Sequence, residues 1–475
     1  MSPGVKHMAT VCAVSVLVCA GCALKAPRPP VPDVPTAFEN RPQSNGAPGG
    51  QAAWPSKDWY RGFKSSELDA LIAQAATGNL DLAAARARLT QADARARQAG
   101  AAILPSVDAT ANGNYYAGHS VNGSAHEFDW SALLSASYEI DFWGKNRATA
   151  NAGRFLGAAA RADRDSIALT TLAGVANGYF ELLSLRERSQ IAQSNLEAAR
   201  GLLNVVQARF QNGLANPVEL AAQRSVLATA QLTLPEFKQR EEEARTALAL
   251  LLGRPPEGFR IEGASLDSLT EPEVAPGLPA ELITRRPDVF MAEANLRAAD
   301  ADLVAARAAL LPSVTLTPAA GIQNPAVNAA IIALPGVGPG VNLGAGLVQS
   351  IFDGGRLRAI RDEARAKDEE LVMSYRAAIL ASLVDVENAL GAIRTLDDAR
   401  DFQNEGLTQS ERAFEGAKLR YREGEGDFFA VLEAQRTLYA ARDQYRQYRL
   451  ARLRAVVSLC KALGGGWQLQ EEHVH

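Results

Sequence analysis

In residues 131–142, SALLSASYEIDF, the side chains of Ala132, Leu134, Ala136, Tyr138, Ile140 and Phe142 fall on one face, and Ser135, Ser137, Glu139 and Asp141 on the other. That is the period-two pattern of a β-strand with one apolar face. The pattern returns further along the chain. Val314, Leu316, Ala320 and Ile322 alternate with Ser313, Thr315, Thr317 and Gln323. Val341, Leu343, Ala345, Leu347 and Ile351 alternate with Asn342, Gly344, Gly346 and Ser350. A weaker stretch at 106–116 ends in Tyr115 and Tyr116. The predicted strands are therefore about 106–116, 131–142, 313–323 and 341–352. Each is about ten residues long, the length that crosses a bilayer when tilted. A sheet with one face in water alternates equally well, so alternation by itself leaves both readings open.

Between and after these strands the pattern changes to a helical one. Residues 144–211 and 356–422 contain no proline, which permits helices of about 100 Å at 1.5 Å per residue. Leu169, Leu172, Ala176, Tyr179 and Leu183 follow 3-4-3-4 spacing. The register from Val431 through Ala434, Leu438, Ala441, Tyr445 and Tyr448 to Ala455, Leu459 and Ala462 is interrupted only by Arg452. These are coiled-coil seams whose alanines allow close approach, and neither helix is apolar enough to lie in lipid. The long helices are expected at 144–211, 217–252, 356–422 and 427–463, with a kink at Pro235.

The grammar is written twice. ILPSV at 103–107 returns as LLPSV at 310–314, and in each case proline ends a helix where a strand begins. EIDFWGKNRA (139–148) answers QSIFDGGRLRA (349–359), ARFQNG (208–213) answers LRYREG (419–424), and AAQRSVLATAQ (221–231) answers EAQRTLYAARD (433–443). The offset is nearly constant, 211 between Gly144 and Gly355, too long for a solenoid of small repeats. Two copies of one unit are read at 51–255 and 256–470, followed by a tail at 471–475.

The N-terminus changes the compartment. Lys6 precedes an apolar run from Ala9 to Leu24 that is too short for a comfortable spanning helix and contains CAGC at Cys19–Cys22. This resembles a bacterial lipoprotein signal, residues 1–21, cleaved before a lipidated Cys22, although Cys19 stands where leucine is usual. An ordinary signal peptide with incidental cysteines is the alternative. The proline- and glycine-rich stretch 22–50 reads as an extended tether. Cleavage would leave Cys22 and Cys460 alone, too few for a disulfide framework.

Composition adds exclusions. The 475 residues are 47% hydrophobic, 21% charged and 6% aromatic with a formal charge of −4, which points away from nucleic acid. No nucleophile–base pair, phosphate loop or paired-carboxylate site stands out, so no enzyme and no cofactor is expected. GVGPGVNLGAG (336–346) has glycines at nucleotide-loop spacing, but a strand and not a helix follows, so it reads as a surface loop entering the fourth strand. RRPD (285–288) reads as a helix start. His7, His119, His126, His473 and His475 show no ligand spacing; His119 and His126 are placed in the loop between the first two strands.

Four strands cannot line a bilayer, because open edges leave backbone groups unpaired in lipid. Two copies would supply eight strands and a filled lumen, and three would supply twelve and room for a passage. Tyr115, Tyr116, Phe142, Trp143 and Phe352, at strand ends, suit an interfacial girdle.

From about Trp59 to Trp467 the chain resembles the trimeric outer membrane factors of tripartite efflux and secretion systems, the TolC/OprM group, and especially its lipid-anchored, NodT-like branch. The most specific stretches are GLPAELITRRPDVFMAEANLRAADADLVAARAALLPSVTL (277–316), SIFDGGRLRA and YREGEGDFFAVLEAQRTL. The resemblance implies an α+β membrane protein: a homotrimeric, twelve-stranded transmembrane β-barrel, four strands per chain, continued by a periplasmic α-helical coiled-coil barrel. It implies an outer-membrane exit duct for drugs or other small molecules, working with a periplasmic adaptor protein and an inner-membrane pump of the resistance-nodulation-division type. By the same resemblance the turns with Phe210, Gly213, Pro217, Gly424 and Gly426 meet the adaptor, which bland hairpin punctuation would also explain. Tyr421 and Phe429 would occlude the tip at rest, and Glu433, where the family usually has aspartate, and Arg436 would make charged contacts between neighbouring helices. An ordinary helix-surface role for Glu433 and Arg436 is the alternative. Other readings are a duct for protein secretion or for metal export, and, in a different class, a periplasmic coiled-coil lipoprotein without a channel. The four methionines, Met1, Met8, Met291 and Met373, form no cluster for soft metals.

Overall fold

The computed structural model describes residues 35–40, 54–120, 123–263, 265–274, 277, 279–323 and 341–468. The expectations for the signal, Cys22, most of the tether and the C-terminal tail lie outside them. Elements run in the order α1 (Ser66–Gly78), α2 (Leu80–Ala101), β1 (Ser106–Ser120), β2 (Gly123–Ile140), α3 (Lys145–Gln211) and α4 (Pro217–Leu251). A single turn at Leu282–Arg285 then precedes α5 (Pro287–Ala308), β3 (Ser313–Gln323), β4 (Val341–Val348), α6 (Arg356–Glu423) and α7 (Phe428–Ala462). The second half thus repeats the helix, two-strand, long-helix-pair order of the first.

The strands form one antiparallel sheet in the order β1-β2-β3-β4. Pairing keeps the alternation in step across it. Ala109 faces Leu134, Leu134 faces Ala320, and Ala320 faces Val341 on the apolar side. Asp108 faces Ser135, Ser135 faces Ala319, and Ala319 faces Asn342 on the other. The apolar side is uncovered: Leu343 and Leu347 are each 70% exposed, and Val107 and Leu134 are exposed beside them. An uncovered apolar face of this extent requires lipid or protein against it. The outer edges of β1 and β4 have no strand beside them among the described residues.

The strands differ from the alternation-based reading at their ends. β1 runs on to Ser120 and β2 begins at Gly123, so His119 and His126 sit in the paired ladder and not in a loop. Glycine, histidine and serine there carry little apolar signal, but backbone pairing does not need one. Conversely β2 stops at Ile140 and β4 at Val348. The reason is capping. Asp141 accepts from the backbone N–H of Asn146 at 3.1 Å and of Arg147 at 2.9 Å, and Asp353 accepts from those of Gly355 and Leu357, each at 2.9 Å. Each carboxylate satisfies the orphan donors of the long helix that follows, so the chain leaves the ladder to reach it. The fourth strand begins at Val341 as the alternation predicts, and residues 336–340 of the loop expected to enter it lie outside the described residues.

The chain divides into two compact units, and neither is a sequence repeat. Of the described residues, one contains Arg88–Arg161 and Met291–Arg376, hence the whole sheet; the other contains those up to Ala87, those of Ala162–Phe290 and those from Ala377 on. In the second unit Phe63, Leu68, Ile72, Phe180, Leu182, Leu183 and Leu248 are fully buried, each contributing about 1.5–3 kcal/mol. Its C-terminal end is held by Gly464, Gly465 and Gly466, at φ of +84°, +56° and +76°. A Cβ on Gly464 would lie 1.9 Å from the Arg285 carbonyl oxygen, and one on Gly466 2.2 Å from the Ser56 carbonyl carbon. Only glycine tolerates both the left-handed backbone and the approach. The sharp turn delivers Trp467, whose indole N–H donates to Asp165 at 2.9 Å and whose ring lies 5.7 Å from that of Phe290. Arg286 is buried beside it, donating to Asp288, Asp385 and the Ala462 carbonyl. Cys460 is buried and free, and burial pushes its thiol up to about 12. Among the described residues no helix is long and apolar enough to cross a membrane.

Candidate functional site

Both long-helix pairs reverse through the same turn. At the end of α3, Gly213 N–H donates to the Phe210 carbonyl at 3.0 Å and Leu214 N–H to that of Arg209 at 2.8 Å. At the end of α6, Gly424 N–H donates to Tyr421 at 3.2 Å and Glu425 N–H to Arg420 at 2.9 Å. Gly213 and Gly424 take the left-handed conformation, φ +72° and +82°, that this helix stop requires. The Asn216 side chain then caps α4, accepting from Val218 and Glu219 N–H at 2.9 Å each, with Pro217 at the first helical position. Phe210 is thereby the repeat counterpart of Tyr421, yet their surroundings differ.

Tyr421 is only 2% exposed. Its ring lies 5.6 Å from that of Phe428 in a cluster with Leu202, Val206, Leu220, Phe414 and Val431, drawn from all four long helices. Its hydroxyl donates to Glu219 Oε2 at 2.9 Å, and Asn216 Nδ2 donates to the other carboxylate oxygen at 3.0 Å. The Arg209 guanidinium stacks 4.6 Å from the ring centroid and donates to the Tyr421 carbonyl at 3.1 Å. Burial, then the hydrogen bond to Glu219 and its charge, pushes the Tyr421 hydroxyl up to about 12, so it remains a donor at neutral pH. At the tip this side chain bonds one hairpin to the other.

The resemblance gives Tyr421 an occluding place at the tip. In this chain its ring is packed in the joint between the two hairpins. Phe429, by contrast, is 49% exposed. Glu433 and Arg436 follow it at four- and three-residue spacing on α7, and both are exposed. Neither has an ion-pair partner among the described residues, and they do not pair with each other. Phe210, Leu214 and Val218 form an exposed apolar patch at the first turn, and Gly424 and Gly426 shape the second. The residues that sequence reasoning missed are Arg209 and Glu219. Asn216-Pro217-Val218-Glu219 carries the spacing of a capping box, which was the available signal for Glu219; nothing local marks Arg209.

At the sheet, Tyr115, Phe142 and Phe352 are exposed, and Phe142 and Phe352 lie just beyond the strand ends. Trp143 is half-buried and donates its indole N–H to the Pro312 carbonyl at 2.7 Å, tying one helix–strand joint to the other repeat. The Tyr116 side chain lies outside the described residues. The polar side of the sheet carries Asp108, Thr110 and Asn112, and Glu139 paired with Lys145 at 2.6 Å.

The family model for outer membrane efflux proteins matches residues 71–254 and again 278–465. The pyoverdine export outer membrane protein OpmQ of Pseudomonas aeruginosa is 43% identical over 421 residues, 87% of this chain and 88% of that protein. The cation efflux system protein CusC of Escherichia coli is 27% identical over 452 residues, 95% of this chain and 97% of its own. The solved outer-membrane channel OprN superposes with a TM-score of 0.82 at 26% identity, over 94% of this chain and all of that one. Outer membrane efflux channels are homotrimers that work with a periplasmic adaptor and an inner-membrane pump, and they are not enzymes. Three copies turn the four strands into a closed barrel of twelve, which pairs the open edges of β1 and β4 and sets the apolar face against lipid. The chain belongs to the outer membrane efflux protein family, the trimeric outer-membrane channels of tripartite efflux systems.

Proposed function

We propose that the chain is a passive duct for a small molecule of the pyoverdine kind, held shut at its periplasmic tip by contacts within and between copies. The tip reading is carried by one observation: Tyr421 locks the two hairpins together through Glu219 and Arg209, while Phe429, Glu433 and Arg436 stand uncovered on one face of α7. In the trimer that face turns to the axis, Phe429 narrows it, and Glu433 of one copy meets Arg436 of the next. The first turn, with its exposed Phe210, Leu214 and Val218, offers the adaptor an apolar seat beside Gly213 and Pro217, and Gly424 and Gly426 shape the second. Energy for transport comes from the inner-membrane partner; the duct has no catalytic part.

The cargo reading follows the 43% identity to a pyoverdine export protein, against 27% to a cation efflux protein. The lipoprotein signal 1–21, the acylated Cys22 with its tether 22–50, and the repeats 51–255 and 256–470 complete the proposal. Tyr115, Tyr116, Phe142, Trp143 and Phe352 form its interfacial girdle. Two experiments test it. Glu433→Ala with Arg436→Ala raises ion conductance of trimers in planar bilayers; intact trimers with unchanged conductance would remove the gate. Expression in a Pseudomonas aeruginosa strain lacking OpmQ restores pyoverdine to the medium; a chain present in the outer membrane without that release would remove the cargo.

A further inference from the structure

The exposed stripe on α7 does not end at the gate residues. Phe429, Glu433 and Arg436 continue at the same helical spacing into Ala440 and Asp443. Arg436, Ala440 and Asp443 form one wall of a half-open cavity of about 380 Å³, whose other walls are α3 and α4. Val226 and Ala230 of α4, with Ile191 and Ala192 of α3, make its lining largely apolar.

The polar part of the cavity is built with rigidity. Arg188 donates twice to Asp443, at 2.5 and 3.0 Å, and stacks 4.8 Å from the centroid of Phe237. A bidentate pair fixes both side chains and neutralises both charges. The Tyr439 hydroxyl donates to the Asn195 backbone carbonyl at 2.7 Å, leaving that residue's side chain to the cavity. Asn195 is 9% exposed, and its side-chain oxygen is buried without a hydrogen-bond partner. A buried amide oxygen with no donor signals a missing group, because leaving it bare is costly. With Arg188 and Asp443 cancelling, Arg436 is the one uncompensated charge on the lining, and it has no partner among the described residues.

An apolar chamber with a single free guanidinium at its rim and an unpaired acceptor in its wall specifies its occupant. We propose that this cavity binds a small amphipathic anion that carries a hydrogen-bond donor, its apolar body on Val226 and Ala230 and its anionic group on Arg436. The consequence for the channel deepens the reading of the tip and rests on it: an anion on Arg436 competes with Glu433 of the neighbouring copy, so occupancy loosens the gate.

The test uses the full-length trimer in detergent, titrated calorimetrically with naphthalene-1-sulfonate and with uncharged 1-naphthol against a detergent blank. Both bind saturably, one per protomer. Arg436→Gln weakens the sulfonate at least about tenfold, the loss expected of one charge-assisted hydrogen bond, and leaves 1-naphthol unchanged. Thr229→Trp, which fills the cavity from its α4 side, removes both; Ser225→Phe, one turn away on the same wall, replaces it should that variant not assemble. In planar bilayers the sulfonate raises conductance of the unaltered trimer and not of the filled variant. Absence of saturable binding, the result if a neighbouring copy occupies the cavity, overturns the site, as does binding that survives both filled variants. Binding as described without any conductance response overturns the coupling and the tip reading, and leaves the site standing.

Discussion

The Tyr421 latch makes a sharp quantitative prediction, because Tyr421→Phe removes one bond and little else. The ring keeps its place against Phe428 and its stack with Arg209, and only the 2.9 Å bond to Glu219 is lost. A bond to a charged acceptor is worth about 1.5–3 kcal/mol when both sides are buried. Glu219 is half-buried and keeps its bond from Asn216, so the loss falls below that range, at about 1–1.5 kcal/mol per copy. If three copies open together the closed state loses about 3–4.5 kcal/mol, which raises the open-to-closed ratio by roughly two to three orders of magnitude. Single-channel recording of purified trimers reads this ratio directly. Glu219→Gln serves as the partner variant: it keeps an acceptor but loses the charge, so it should open the tip less, and the double variant should add little to Tyr421→Phe. The same bond fixes a pH response. With the hydroxyl raised from 10.0 to about 12, the latch is whole below pH 10 and drains as pH rises from there through about 12. Conductance governed by it should therefore be flat up to pH 10. A Tyr421→Phe channel that opens no more often than the parent would refute the latch, as would fully additive effects of the two substitutions.

Other expectations can be checked on the same trimer. Gly464→Ala puts a Cβ at 1.9 Å from the Arg285 carbonyl on a φ of +84°, and should cost more than about 3 kcal/mol, read as a fall in melting temperature or as loss of trimer. Arg286→Met should destabilise by about 2–3 kcal/mol at neutral pH by stripping Asp288, Asp385 and the Ala462 carbonyl of their donor. Burial raises the Asp288 carboxyl, but the Arg286 bond and charge overcome it and hold it below 3.8; that contribution is present above pH 3.8 and lost as pH falls further. The melting difference between parent and Arg286→Met should accordingly shrink in acid. Cys22→Ser should abolish incorporation of labelled palmitate; retained label would place the lipid elsewhere.

Much of this protein could be read along the chain because the relevant signals are local and periodic. The absence of proline marks α3 and α6, and 3-4 spacing marks α3 and α7, since a long helix needs only an unbroken pattern. The twin Leu-Pro-Ser joints mark where β1 and β3 begin, because proline acts on its own neighbours. Strand ends were less readable. Asp141 and Asp353 end their strands by capping helices, and the polar tip of the β1–β2 pair extends through His119 and His126 on backbone pairing alone.

The tip shows the other limit. Phe429, Glu433 and Arg436 share an exposed face as helical spacing requires, but Tyr421 and Phe210, equivalent in the repeat, meet different fates. One is buried against Glu219 and Arg209, 202 and 212 residues away in sequence, and the other borders solvent. The sequence by itself determined the duplication, the two periodicities and the open-edged sheet that demands copies of itself. Tertiary structure alone decided which aromatic ring locks the hairpins, which arginine stays free and where the cavity beside it lies. Periodicity is a property of neighbours along the backbone, whereas a latch or a cavity depends on which helices meet across it, and no local pattern carries that.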